Sequence, residues 1–332
     1  MTNRNTDDTN KRITLEEAYD YSSDYVNDLL KKKHGILGDA VHHLAKAQGK
    51  GVRTVLLLQS AVGKDKLVPI EACKAAAAVE LFHLATLVHD DVIDDADLRR
   101  GITSVQKKFG KKQAVIVGDY LLCLSFTTLS SIDKDSFAED HMDVLSRFVS
   151  MAGRICTGEY NQLVHNYNTN IEFKDYYKTI SGKTAALFWI SAYMGAALGG
   201  ESEAQAKKIA RVGQLVGLIF QILDDCKDYE MTEDEALKPV KSDLKEGVIT
   251  LPLILAMAKD RYLRDDVKRV FDGSFSASEI VEKVRKSDGI KEARDLSKRY
   301  FGKATALLNG LENDVKKSIL KESLEKIFPA LA

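Results

Sequence analysis

Two stretches of the chain crowd carboxylates at a spacing that serves metal binding better than it serves folding. The first is His89-Asp90-Asp91-Val92-Ile93-Asp94-Asp95-Ala96-Asp97, followed by Leu98-Arg99-Arg100. Asp90 and Asp94 are four residues apart, so a helix stacks them on one face, with Asp91 beside them. Like charges so placed repel. They also close an apolar run, Ala75 to Val88, where the helix dipole disfavours anions. Local stability does not account for them; a bound cation would. Mg²⁺ takes oxygen ligands, uses one or two protein carboxylates, keeps several waters and shares phosphate oxygens. The second stretch, Phe220-Gln221-Ile222-Leu223-Asp224-Asp225-Cys226-Lys227-Asp228, repeats D-D-x-x-D after another apolar run, Val212 to Leu223. A single acidic helix end is commonly solvated surface. Two copies of one pattern, each closing an apolar helix, point instead to divalent metal and a polyphosphate. Were the two helices to face each other, six carboxylates would surround one cavity.

Cations suited to phosphate accompany them. Gly49-Lys50-Gly51-Val52-Arg53 sets Lys50 and Arg53 one helical neighbour step apart, and Arg99 and Arg100 directly follow the first acidic run. Arginine grips phosphate with two parallel hydrogen bonds, while lysine acts as a point charge. Lys183-Thr184 and Lys238 are further cationic positions, unremarkable by composition alone.

The elements that must carry these residues are helical. The chain has 332 residues and only 4 prolines, Pro69, Pro239, Pro252 and Pro329, so residues 70 to 238 contain none. Proline breaks helices, and its scarcity in a 45% apolar chain predicts long helices with short connections. Thr14 with Glu17 three residues on is a capping box that opens the first. Further helices are expected over 36–47, 52–62, 69–97, 104–109, 112–131, 136–163, 172–181, 183–198, 202–229, 251–260, 264–272, 277–286, 289–310 and 312–328. Pro69 and the Thr250–Pro252 pair suit helix starts. No strand-like alternation of useful length and no linker composition occurs. The expectation is a disordered tail over residues 1–12 and one all-α domain over 13–332.

Lys and Arg number 48 against 49 Asp and Glu, which removes any whole-chain argument for nucleic acid or an anionic membrane. Cys73, Cys123, Cys156 and Cys226 lie too far apart for a zinc site or redox dithiol and read as reduced, mostly buried thiols. The polar N-terminus lacks the apolar core of a signal peptide, and no run approaches ~18 apolar residues. A cytoplasmic protein without a membrane anchor is expected.

Together these segments resemble the trans-isoprenyl diphosphate synthases, or polyprenyl synthetases. ELFHLATLVHDDVIDDADLRRG is similar to their first aspartate-rich region and GQLVGLIFQILDDCKDY to the second. GKGVR resembles their G-K-x-x-R element, GEYNQ their G-E-x-x-Q, SGKTAALF their K-T element, and SDLKEGVITLPL the segment after the second motif. Order and spacing hold from about residue 45 to 257, and the first region is most similar to bacterial members of the hexaprenyl and heptaprenyl type. The resemblance implies an all-α bundle of long helices around a central cavity. It assigns Asp90, Asp94 and neighbouring Asp91 to two Mg²⁺, and Asp224, supported by Asp225 and Asp228, to a third. Arg99, Lys183, Thr184, Gln221 and Lys238 match positions around the allylic diphosphate. Lys50, Arg53, His83 and Arg100 match the pocket for isopentenyl diphosphate. By the same resemblance the chain forms a homodimer, and related synthases need a second, different subunit. His89 has no metal role in the family. Two departures stand out: Gly51 and Thr54 replace the usual basic residue and proline of G-K-R-x-R-P, and Val248 stands where G-K-x-T has lysine.

The implied reaction ionises a carbon–oxygen bond. Mg²⁺ and cations stabilise the departing pyrophosphate, and the double bond of isopentenyl diphosphate attacks the allylic cation. The proton then lost passes, in the family, to the released pyrophosphate, so no side-chain general base is required, which matches the lack of a Ser/His/Asp or Cys/His arrangement. The product is expected to run down the apolar helix before Asp90, whose turns rise about 5.4 Å, similar to one isoprene unit. Thr86 is one turn below Asp90, with Ala85 beside it, and both are small. Phe82, about two turns down, is the first bulky residue and a candidate floor, so a product longer than farnesyl diphosphate is expected, about twenty to thirty-five carbons. A class I terpene cyclase shares D-D-x-x-D, but its second motif is N-D-x-x-S-x-x-x-E and it needs no second diphosphate pocket. An H-D phosphohydrolase, suggested only by His89-Asp90, needs further metal-binding histidines, and His83 is the only nearby one. A weakly active or regulatory synthase subunit is the remaining alternative, raised by Val248.

Overall fold

The computed structural model describes residues 11–33, 35–45, 51–137, 144–230, 244 and 246–332. By its contacts the chain falls into two compact units. The first comprises Met1–Arg147, Ile190–Ala210 and Gly310–Ser323; the second comprises Phe148–Trp189, Arg211–Asn309 and Leu324–Ala332. The sequence reading treats 13–332 as a single domain.

The helices are α1 (Leu15–Lys31), α2 (Gly35–Leu44), α3 (Val52–Ala61), α4 (Ile70–Ile93), α5 (Val105–Phe109), α6 (Lys111–Ser130), α7 (Val144–His165), α8 (Phe173–Lys183), α9 (Ala185–Leu198) and α10 (Glu203–Glu230). After them come α11 (Leu251–Lys259), α12 (Arg261–Phe271), α13 (Ala277–Lys286), α14 (Gly289–Asn309) and α15 (Asp314–Ile327). The all-α expectation holds. The Thr14–Glu17 capping box is present in both directions: the Thr14 amide donates to Glu17 at 2.8 Å and the Glu17 amide to Thr14 Oγ1 at 3.3 Å.

Three details differ from the sequence reading. Within the tail assigned to 1–12, Arg12 belongs to strand β1 (Arg12–Ile13), which pairs antiparallel with β2 (Val68–Pro69); residues 1–10 lie outside the described residues. A second two-residue ladder joins β3 (Leu98–Arg99) to β4 (Ile102–Thr103). The helix expected over 69–97 stops at Ile93. There Asp95 takes a left-handed conformation, φ 49°, and the Ala96 amide bonds back to the Asp91 carbonyl at 2.9 Å. That bond closes the helix as a Schellman motif does and frees the following residues for the hairpin.

The core of the first unit gathers Val26 and Leu30 of α1, Ala40, Val41 and Leu44 of α2, Leu81, Leu84, Ala85 and Val88 of α4, and Val117 and Leu121 of α6. α4 and α6 run against each other, and Ser125 of α6 donates to the Ala78 carbonyl of α4 at 2.7 Å. Among the described residues α6 is one helix long and apolar enough to cross a membrane, but part of its surface is this α4 contact. All four cysteines are free; Cys73 and Cys226 are buried, whereas Cys123 and Cys156 are exposed, against the expectation of mostly buried thiols.

Candidate active site

In the first unit, α3 and α4 bring Arg53 and His83 together. The Arg53 guanidinium donates to His83 Nε2 at 3.1 Å, so the ring nitrogen that accepts carries no proton. Burial pushes His83 well below its ordinary value, and Arg53, Arg100 and Arg99 push it the same way. The imidazole is therefore neutral at physiological pH, with its proton on Nδ1. Burial also lowers the Arg53 guanidinium to about 10; Glu80 opposes the shift and Arg100 adds to it. Arg53 stays charged at neutral pH but is poorly solvated, which raises its value to an incoming anion. Glu80, one turn before His83, is the local counter-charge. Burial raises its carboxyl, while Arg53, Arg100 and the Thr54 hydroxyl, 3.5 Å away, hold it down. Thr54, a departure from the family pattern, thus contacts Glu80.

The acidic run splits into residues that build and residues that face outward. Asp91 is 1% exposed and accepts from Arg99 Nε at 2.7 Å and from its terminal nitrogen at 2.5 Å. Asp95 pairs with Lys111 at 2.8 Å and Asp97 with Lys107 at 3.0 Å. Asp90 and Asp94 are half-buried on one face of α4, Asp94 at its C-cap. His89 reaches α6, contacting the Val115 carbonyl and Asp119, each at 3.3 Å.

Arg99 and Arg100 sit on the β3–β4 hairpin. Its two central residues, Arg100 and Gly101, have φ of 51° and 82°. Positive φ at both is the type I′ pattern that matches strand twist. Glycine adopts it freely, but an arginine there costs about 1–2 kcal/mol. Strain of this kind collects at functional sites.

In the second unit the cation and acid motifs form one hydrogen-bonded chain. Thr184 Oγ1 donates to Gln221 Oε1 at 2.7 Å, Gln221 Nε2 donates to Asp225 Oδ1 at 2.8 Å, and Tyr176 donates to Asp225 Oδ2 at 2.6 Å. Asp225 is 5% exposed, so it plays in the second motif the part Asp91 plays in the first. Asp224 reaches solvent and Asp228 is half-buried. The protein packed around Asp224 raises its carboxyl, while Lys227 lowers it. Lys183 ends α8 and pairs with Glu159 of α7 at 2.8 Å. α7 and α8 can meet so closely because Gly158 and Gly182 touch backbone to backbone, where a Cβ on either would collide with main-chain atoms. Gly217 of α10 likewise rests on Ala185 and Phe188, which seats Thr184 beside Gln221. Val248 is half-buried and follows Gly247, whose carbonyl accepts from the Tyr167 amide at 2.8 Å.

Lys50 and Lys238 lie outside the described residues. Among the chain-length residues, Phe82 is 3% exposed and meets Phe126 of α6 edge to face, ring centroids 6.4 Å apart. Ala85 is buried in the core cluster, and half-buried Thr86 donates to the His83 carbonyl at 2.8 Å. Glu80, Glu159, Tyr176 and Phe126 escaped the sequence reading as site residues. A lone charge in the apolar helix before His83 could have exposed Glu80, and the G-E-x-x-Q element Glu159. Tyr176 and Phe126 carried no signal, because their partners are distant in sequence.

Two acidic helix ends, each with its own cations and buried braces, define a helical enzyme that handles diphosphates. The sequence model of the polyprenyl synthetase family matches residues 34–287, and the chain belongs to that family. Component 2 of heptaprenyl diphosphate synthase from Geobacillus stearothermophilus is 33% identical over 296 residues, 88% of this chain and 89% of its own. Heptaprenyl diphosphate synthase from Staphylococcus aureus superposes with a TM-score of 0.86 at 32% identity, covering 96% of this chain and 98% of its own. A polyprenyl synthase from Caulobacter crescentus CB15, solved with calcium and isoprenyl diphosphate, gives 0.81 at 29% identity over 94% and 95%. The enzyme class is that of the trans-polyprenyl diphosphate synthases.

Proposed function

We propose that the protein condenses isopentenyl diphosphate with an allylic diphosphate, giving an all-trans polyprenyl diphosphate of about twenty to thirty-five carbons, with three Mg²⁺ per site. The observation that carries this reading is the grouping of half-buried Arg53 and neutral His83, under the influence of Arg99 and Arg100, in the same unit as Asp90 and Asp94. One acidic face and one cationic pocket serve two diphosphates, whereas a cyclase needs only the first. The donors fit Mg²⁺: Asp90, Asp94 and Asp224 supply oxygen only. Among the described residues no three His, Cys, Asp or Glu side chains are gathered tightly enough to hold a metal alone. When bound, Mg²⁺ supplies charge to the leaving pyrophosphate.

Asp90 and Asp94 hold metal for the allylic diphosphate, and Asp224, with Asp228, holds the third ion. Asp91 and Asp225, which the resemblance sets among the metal ligands, are buried against Arg99 and Gln221 and in this reading act one step back, fixing those two side chains. Arg99, Lys183, Thr184, Gln221 and Lys238 bind the allylic diphosphate directly, and Lys183 then exchanges its Glu159 partner for phosphate oxygen. Lys50, Arg53, His83 and Arg100 bind isopentenyl diphosphate, His83 through Nδ1–H. Val248 withdraws one cation from the allylic side, so affinity there rests more heavily on Arg99 and Lys183. Phe82 ends the space below Thr86 and Ala85. A homodimer is the form proposed; the word component in the name of the Geobacillus relative supports a version with a second, different subunit.

The experiment is incubation of the purified chain with Mg²⁺, farnesyl diphosphate and labelled isopentenyl diphosphate, with no partner added. Diphosphates of more than fifteen carbons, abolished by a chelator, are expected. Hydrocarbon release would point to a cyclase, and activity only after a second subunit is added would establish the heteromeric form. A fifteen-carbon product alone would sink the chain-length reading.

A further inference from the structure

We infer that His43 is a positioning residue that clamps the β3–β4 hairpin, and with it Arg100, onto the helix leading into the Lys50–Arg53 element. His43 is 9% exposed, one residue before the end of α2. Its Nε2 lies 2.7 Å from the Thr103 carbonyl, and its Nδ1 lies 3.1 Å from Lys108 Nζ. A carbonyl can only accept and an ammonium can only donate. The ring therefore donates from Nε2 and accepts at Nδ1, both nitrogens being used in one tautomer. Phe109 meets the ring edge to face at 5.9 Å and fixes its plane.

The position of the carbonyl matters. Thr103 pairs with Leu98 across the hairpin, two residues beyond the Arg100–Gly101 turn. The other side of the hairpin is tied by Arg99 to buried Asp91 on α4. Its base is tied by Ser104 Oγ and Gln106 Nε2, which both donate to the Ala96 carbonyl, at 2.6 and 2.8 Å. A two-residue ladder is too short to stand alone, and its turn holds Arg100 in a strained conformation. Asp91 therefore fixes Arg99, and His43 fixes the returning strand that determines where Arg100 points. A histidine with both nitrogens engaged holds a ligand-bearing segment in one orientation, as outer partners do around metal ligands.

This rests on the reading of Arg100 as a ligand of isopentenyl diphosphate, so the test has an arm independent of that reading. His43→Leu removes both hydrogen bonds; His43→Gln retains one donor and one acceptor; Lys108→Met removes the Nδ1 partner without touching the buried ring. Two quantities are measured: amide hydrogen exchange across residues 98–103, and kcat and KM for each substrate. Expected for His43→Leu are faster exchange across 98–103, a KM for isopentenyl diphosphate about tenfold higher, kcat within threefold of wild type and a smaller change in the allylic KM. His43→Gln restores most of both, and Lys108→Met shifts both in the same direction by less. If His43→Leu does not fold, Lys108→Met against His43→Gln gives the same comparison. Unchanged exchange across 98–103 in the leucine or methionine variant overturns the clamp. Faster exchange with an unchanged KM for isopentenyl diphosphate overturns the assignment of Arg100 while leaving the clamp standing. A fall in kcat and melting temperature alone, without the KM shift and without rescue by glutamine, reduces His43 to a packing residue and overturns the inference.

Discussion

Within one D-D-x-x-D run, neighbouring aspartates of equal charge have opposite tasks, and burial decides which. Asp91 is closed off and braces Arg99; Asp94, half-buried at the helix end, repels Asp90. Asp91→Asn weakens a charge-assisted pair inside the protein, and a loss of about 1–3 kcal/mol is expected, visible as a lowered melting temperature. Asp94→Asn relieves a like-charge neighbour contact worth about 0.2–0.5 kcal/mol, so its melting temperature stays level or rises slightly. Its turnover falls roughly a hundredfold or more, because charge stabilisation of the leaving group is lost. Equal melting temperatures for the two variants would refute this division. The sequence offers the candidate positions, since type and spacing are written there. It does not show which of two adjacent aspartates turns inward, because that depends on Arg99 and Tyr176, which meet their partners 8 and 49 residues away.

At the scale of elements, proline scarcity and apolar runs are enough to read the helices; the Thr14 start falls where its capping box puts it, and the Thr250 start where Pro252 sits in the first turn, with no cap bond from the Thr250 side chain. The end of α4 was misread, because the acidic run Asp94–Asp97 carries no glycine or proline to announce a stop. The stop is made by Asp95 in a left-handed turn and by the hairpin that follows, both fixed by tertiary contacts. The proposed floor of the product space has the same character. Phe82 alone was legible, yet the structure pairs it with Phe126 from α6. A floor built by two helices should yield when either ring is removed. Phe82→Ala and Phe126→Ala are each expected to lengthen the product by at least one isoprene unit. Phe82→Ala also costs about 3–5 kcal/mol as a core truncation, so products are best compared at reduced temperature. Unchanged product lengths in both variants would place the end of the chain elsewhere.

At the scale of the whole molecule, two helices among the described residues show apolar side chains that burial within the chain does not explain. On α6, Val115 and Ile116 are 40% and 60% exposed, beside a shallow apolar groove lined by Leu37, Phe109 and Val117. In the second unit, α7 shows Val149, Leu163 and Val164 to solvent. Scattered apolar residues are ordinary on a protein surface, but contiguous apolar helix faces mark sites of association. A bilayer is a poor occupant for α6. Asp119 lies on it, and Ala114, Val117 and Leu121 of the same helix are already spent in the core of the unit. A second copy of the chain is the better one, since closed two-fold pairing buries the same face on both partners. Light scattering behind size exclusion should give twice the chain mass for the wild type. Ile116→Asp should give the monomer, because it sets two carboxylates into a dry contact where neither finds a partner. A wild-type chain that runs as a monomer, and doubles in mass only with a different subunit, would make this face the seat of a heteromeric synthase instead.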